Sequence, residues 1–102
     1  MDRLRFDIEL FDDEDPFEID CQRIHLAKHM RLDADDVREV WASHPLFYPA
    51  HPDGPADWLM VAEIPGTVLV VALAPVSTWR KCRPVAVYEA GPELVRRYRQ
   101  DR

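Results

Sequence analysis

Apolar and polar positions alternate along this chain with two different periods, and the change of period marks out the elements. Leu4, Phe6, Ile8 and Leu10 alternate with Arg5, Asp7 and Glu9, the period of a half-buried strand. Phe17, Cys21, Ile24, Ala27 and Met30 then recur at spacings of three and four. That spacing predicts a helix opening at Pro16, capped by Asp15 and running to about Met30. Asp33 predicts the N-cap of a second helix, with Asp35 and Asp36 in its first turn and Ala34, Val37, Val40 and Trp41 as its buried stripe. Pro45 ends that helix, because the residue before a proline is pushed out of the helical region. Leu46-Phe47-Tyr48 reads as a short strand, and 49–55 as a loop rich in proline.

The densest apolar run follows, from Asp57 to Val87, and reads as a three-strand meander. Trp58, Met60, Ala62 and Ile64 alternate with Leu59, Val61 and Glu63. Pro65-Gly66 fits a type II turn, which predicts a bulge or a wider loop because tight hairpins favour other turns. Val68 to Ala74 is apolar on both faces, as a central strand requires. Arg80 to Tyr88 makes the third strand, and Pro84 within it predicts an edge position or a bulge. Pro92 opens a last helix to Gln100, with Leu94, Val95 and Tyr98 inward and Arg96, Arg97 and Arg99 toward solvent. The expected architecture is α+β: an antiparallel meander sheet with two N-terminal helices and one C-terminal helix packed on one face.

The composition fits a single domain over residues 1–102: 47% of residues are hydrophobic and 31% charged. No apolar run approaches the ~18 residues that span a bilayer, and the alternating N-terminus is unlike a signal peptide. A cytoplasmic location without membrane contact is the expectation. Cys21 and Cys82 form no CxxC motif; two buried free thiols are the simplest reading, with one disulfide as the alternative.

Charge divides the chain. Residues 1–20 carry nine acids and two bases, including the run Asp12–Asp15, whereas Arg80 to Arg102 carries seven bases and three acids. The formal charge of −6 therefore belongs to the first fifth of the sequence. Arg80, Lys81 and Arg83 on a strand, with Arg96, Arg97 and Arg99 on the last helix, suit phosphate contact, and Trp79, Tyr88 and Tyr98 suit base stacking. The competing reading is a solvated helix face and charges that protect a sheet edge. The acidic segment either screens the basic patch or attracts a basic partner.

Cys21, His25 and His29 stand at spacings of four, where a helix would bring metal-ligand types toward one face. Cys21 belongs to the apolar stripe, however, so no metal is expected. No G-x-S-x-G, G-x-G-x-x-G or phosphate-binding loop occurs, which argues against serine-nucleophile chemistry and nucleotide cofactors.

From Leu26 onward the chain resembles the BrnT toxins, a branch of the RelE-like ribonuclease toxins of bacterial type II toxin–antitoxin pairs. The resemblance rests on Leu26-Ala27-Lys28-His29, on Val37-Arg38-Glu39-Val40-Trp41 closing at Pro45, on the Gly66 turn with Val68–Val71 after it, and on Arg83 followed fifteen residues later by Tyr98. Residues 21–102 form the BrnT-like body, with one insertion between His29 and Val37. The resemblance implies a RelE-like toxin fold, a cognate antitoxin, and metal-independent endoribonuclease action on mRNA, free or on the ribosome. It implies Lys28, His29 and Arg83 as catalytic residues, with His29 or Lys28 as the acid–base group. Arg80, Lys81, Arg96, Arg97 and Tyr98 become the RNA and phosphate contacts. The family's Ser-Ala-Arg after the strand arginine is Ala86-Val87-Tyr88 here. A bidentate phosphate clamp is thereby lost, which implies weak or absent activity. The alternative is a non-catalytic interaction module of the same fold, binding a protein partner through its sheet and acidic N-terminus.

Overall fold

The structure, a computed structural model, describes Phe17 and residues 25–26, 34–54, 56–75 and 82–102. The elements run β1 (His25–Leu26), α1 (Ala34–Ala42), β2 (Leu46–Pro49), β3 (Trp58–Ile64), β4 (Thr67–Pro75), β5 (Cys82–Glu89) and α2 (Pro92–Asp101). The strands form one sheet in the order β1-β5-β4-β3-β2. Strands β2 to β5 are antiparallel neighbours, and β1 adds two residues parallel to β5, His25 opposite Ala86 and Leu26 opposite Val87. The expected strand over residues 4–10 and the acidic run 12–15 lie outside the described residues.

Helix α1 forms where the stripe predicts it. Asp35 and Asp36 occupy its first turn, and Val37 and Val40 are completely buried. Burying a valine side chain contributes about 1.5–3 kcal/mol, so these two hold the helix on the sheet. The Ser43 amide donates to the Val40 carbonyl at 3.2 Å, and Ser43 Oγ donates to the Glu39 carbonyl at 2.7 Å. His44 then takes a left-handed conformation, φ 55°, and the chain leaves the helix through Pro45 into β2.

The first predicted helix is overturned at the residues described. Phe17 forms a parallel bridge with Cys82, and His25–Leu26 is strand β1. Spacing of three and four is a weak preference, and pairing along the outer edge of β5 satisfies backbone groups that this edge would otherwise leave unpaired. Phe17 is buried and meets Trp41 edge-on, with ring centroids 5.7 Å apart.

The helices also do not share a face. Phe17, Val37, Val40, Met60, Ala62, Leu69, Val71, Leu73, Cys82 and Val87 make one core on the α1 side. Tyr48, Val61, Val68, Val70 and Tyr98 make a second on the α2 side. The strand period of two sends alternate residues of β3 and β4 into opposite cores, which is why β4 is apolar on both faces.

The meander matches expectation except at its turn. Ile64 pairs with Thr67, so only Pro65 and Gly66 separate the paired residues, and neither the bulge nor the wider loop expected there forms. Gly66 stands at φ 86°, the value a type II turn needs at its second central position. In β5, Leu73 faces Pro84 while Ala72 faces Ala86, leaving Val85 as the extra residue of a bulge. Pro84, which has no N–H to donate, sits at that irregularity.

Candidate nucleic-acid interface

Helix α2 and its C-terminal cap Arg102 carry four of the six described arginines. Pro92 stands at its start, the Val95 amide donates to the Gly91 carbonyl at 3.0 Å, and the Arg102 amide closes its far end on the Tyr98 carbonyl at 3.0 Å. Its apolar side carries Leu94, Val95 and Tyr98, and its other side exposes Arg96, Arg97 and Arg99.

Tyr98 is the anchor of this helix. It is 5% exposed, and its hydroxyl accepts a hydrogen bond from the Glu63 backbone amide at 3.2 Å. A ring buried in this way cannot stack on a base, so the base-contact role expected of Tyr98 gives way to a structural one. The Glu63 carboxylate gathers two guanidinium groups: Arg102 Nη1 lies 3.3 Å and Arg99 Nε 3.7 Å from Oε1. Arg102 also lies over the Tyr98 ring, 5.9 Å from its centroid.

A second set of contacts ties α2 to the edge strand. Tyr48 Oη donates to Asp101 Oδ2 at 2.8 Å, and Arg97 Nε lies 3.9 Å from the same oxygen. The Arg97 guanidinium sits over the Tyr48 ring at 4.7 Å, a cation–π contact. Burial raises the Tyr48 phenol to about 12, and the Asp101 hydrogen bond and negative charge push it the same way. Arg97 thus keeps an exposed head while its position is set by Tyr48.

Arg96 differs from these. It is exposed and borders an open groove of about 640 Å³ together with Ala90, Pro92, Val95, Arg99 and Gln100.

Arg83 lies elsewhere. It pairs with Ala74 near the end of β4, whereas Tyr98 packs on Val68 and Val70 near its beginning. Four to six residues of strand separate the two positions, about 13–20 Å. The structure therefore does not bring Arg83 and Tyr98 to one point. Lys28, His29, Arg80 and Lys81 lie outside the described residues. Cys82, beside Arg83, has 0% exposure, and burial pushes its thiol pKa up. Among the described residues no group of His, Cys, Asp or Glu is placed to hold a metal ion, and no helix is long and apolar enough to cross a membrane.

Sequence reasoning singled out the α2 arginines but missed Tyr48, Asp101 and Glu63 as their partners, and Arg102 as a second guanidinium on Glu63. Tyr48 and Asp101 are 53 residues apart, and no local pattern announces such a pair. Glu63 carries a weak signal: it is the one charged residue on β3.

Compared with known proteins, the chain matches no family model, no curated protein and no solved structure.

Proposed function

We propose that the chain is a BrnT-like toxin of RelE-like fold that contacts RNA and cuts it without a metal, with weak activity, and that a cognate antitoxin protein controls it. The observation that carries this reading is the exposed arginine face of α2, Arg96, Arg97 and Arg99, on an antiparallel sheet whose last strand holds Arg83. The order of elements supports it too: a helix closing before Pro45, a glycine hairpin at Gly66, an arginine in the last strand and a final helix anchored by tyrosine follow the order of the resemblance. In this reading Arg83 with Lys81 or Arg80 holds the scissile phosphate, and His29 or Lys28 moves the proton. Arg96 and Arg97 hold the flanking backbone. The test is incubation of purified protein with labelled single-stranded RNA, and with mRNA on ribosomes, in EDTA. Cleavage that disappears in Arg83→Ala supports the reading. Intact RNA in both assays, together with normal growth on expression, removes the enzymatic form.

The second reading, a non-catalytic interaction module, is favoured by the separation of Arg83 from Tyr98 and by the burial of Tyr98. A stoichiometric complex with a protein partner, indifferent to added RNA, would select it.

A further inference from the structure

We propose that the groove on α2 is a subsite for one nucleotide of single-stranded RNA, with Glu63 as an internal anion that competes for one of its arginines. The inference rests on the RNA reading above and names the part of the surface that meets a base and its phosphate.

Pro92, Val95, Arg96, Arg99 and Gln100 lie three and four residues apart along α2 and so share one strip of its surface; Ala90 extends it toward the sheet. The groove of about 640 Å³ is within the roughly 300–1,000 Å³ typical of small-ligand sites. Its chemistry is divided as a nucleotide is. Ala90, Pro92 and Val95 present apolar surface to a flat base. The Gln100 amide both donates and accepts, as a base edge requires. Arg96 and Arg99 are forked donors that match a phosphate in two hydrogen bonds and also stack on rings. A protein partner, by contrast, commonly covers about 20–30 residues on each side, far more than this short strip.

Arg99 connects the groove to Glu63. Its Nε lies 3.7 Å from Glu63 Oε1, where Arg102 also meets the carboxylate, and the Glu63 side chain is 32% exposed. Ion pairs this open contribute little to stability. A phosphate can therefore take Arg99 from the carboxylate at little cost, and the carboxylate repels it as it arrives. Removing that charge while keeping the side-chain shape strengthens phosphate binding.

The experiment is a titration of the full-length chain, followed through its backbone amide NMR signals at low salt, with adenosine monophosphate, ribose 5-phosphate and hexaglutamate. Adenosine monophosphate is expected to shift the amides of Val95 to Gln100 saturably, with ribose 5-phosphate weaker. Arg99→Ala is expected to weaken the nucleotide about tenfold, the loss of one charge-assisted hydrogen bond, and Glu63→Gln to tighten it. If Arg99→Ala unfolds the protein, Glu63→Gln alone decides. Equal affinity for ribose 5-phosphate reduces the groove to a bare anion patch and overturns the subsite. Tighter binding of hexaglutamate than of the nucleotide also overturns it, in favour of an acidic protein partner. RNA cleavage at subsaturating protein that is unchanged by Arg96→Ala and Arg99→Ala together sinks the subsite and leaves the ribonuclease. Nucleotide binding here in a protein that never cuts RNA leaves the subsite and sinks the ribonuclease.

Discussion

The Tyr48 hydroxyl donates to Asp101 Oδ2 at 2.8 Å, joining the edge strand β2 to the last residue of α2. Tyr48 is 6% exposed, so its hydroxyl has little access to water if this bond is lost. Tyr48→Phe is expected to lower stability by about 1 kcal/mol, measured by urea unfolding. The phenol also sets a pH limit. Its folded value is raised from 10.0 to about 12, so the neutral form is favoured in the folded protein. The stability this contributes is complete below the unfolded value near 10.0 and is lost as pH rises toward 12. Tyr48→Phe should flatten part of that alkaline decline. Tyr88, raised by burial, leaves a remainder in the same direction. A variant with an unchanged alkaline limit would refute the assignment.

Tyr98 separates packing from hydrogen bonding at the other anchor of α2. Tyr98→Phe keeps the ring and removes the acceptor of the Glu63 amide, at a cost of about 1 kcal/mol. Tyr98→Ala removes the whole ring from the core of Tyr48, Val61, Val68 and Val70, at about 3–5 kcal/mol. Thermal unfolding of the two variants should rank them in that order. Equal, small losses would mean that α2 is held by its arginine contacts instead.

Gly66 tests the hairpin alone. Its φ of 86° is hard for other residues, yet a Cβ built there meets nothing within 4 Å. Gly66→Ala should therefore cost about 1 kcal/mol through backbone conformation alone. Gly66→Asn should cost less, because asparagine visits the left-handed region more readily. Denaturant midpoints of the two variants decide it.

Cys82 should be chemically silent in the folded state. It is fully buried, and burial raises its pKa, so thiolate is scarce and inaccessible. In a Cys21→Ser background, reaction with a thiol reagent should be slow in native buffer and fast in urea. Rapid native labelling would show that the β5 end of the core opens readily.

Where neighbouring residues decided an element together, the sequence was enough to find it. Val37, Val40 and Trp41 with Pro45 marked α1, the apolar run Val68–Ala74 marked the central strand, and Gly91-Pro92 marked the start of α2. Pro84 pointed to the bulge because its missing N–H has few places in a sheet. The misreadings share one cause. The stripe from Phe17 to Met30 has helical spacing, but Phe17 and His25–Leu26 pair with β5, a partner more than fifty residues away. Local period cannot register a distant edge. It also cannot say which face of the sheet a helix takes, so α1 and α2 were placed together although their cores lie on opposite sides. For the candidate site, the arginines of α2 were legible as charges. Their partners were not, since Glu63 and Asp101 meet them only after folding.

The distance between Arg83 and α2 makes the proposed function separable by mutation. Arg83 opposes Ala74, about 13–20 Å along β4 from the residues that carry Tyr98. If Arg83 holds the scissile phosphate while Arg96 and Arg97 hold flanking backbone, the two groups act on different quantities. Arg83→Ala should lower the single-turnover cleavage rate at saturating protein and change RNA affinity little. Arg96→Ala with Arg97→Ala should weaken binding and reduce its salt dependence by about two phosphate contacts, while bound RNA is cut at the original rate. Affinity measured at several salt concentrations, beside single-turnover rates, distinguishes these outcomes. Loss of affinity and rate together in both variants would place Arg83 and the helix arginines in one site, against the geometry of the sheet.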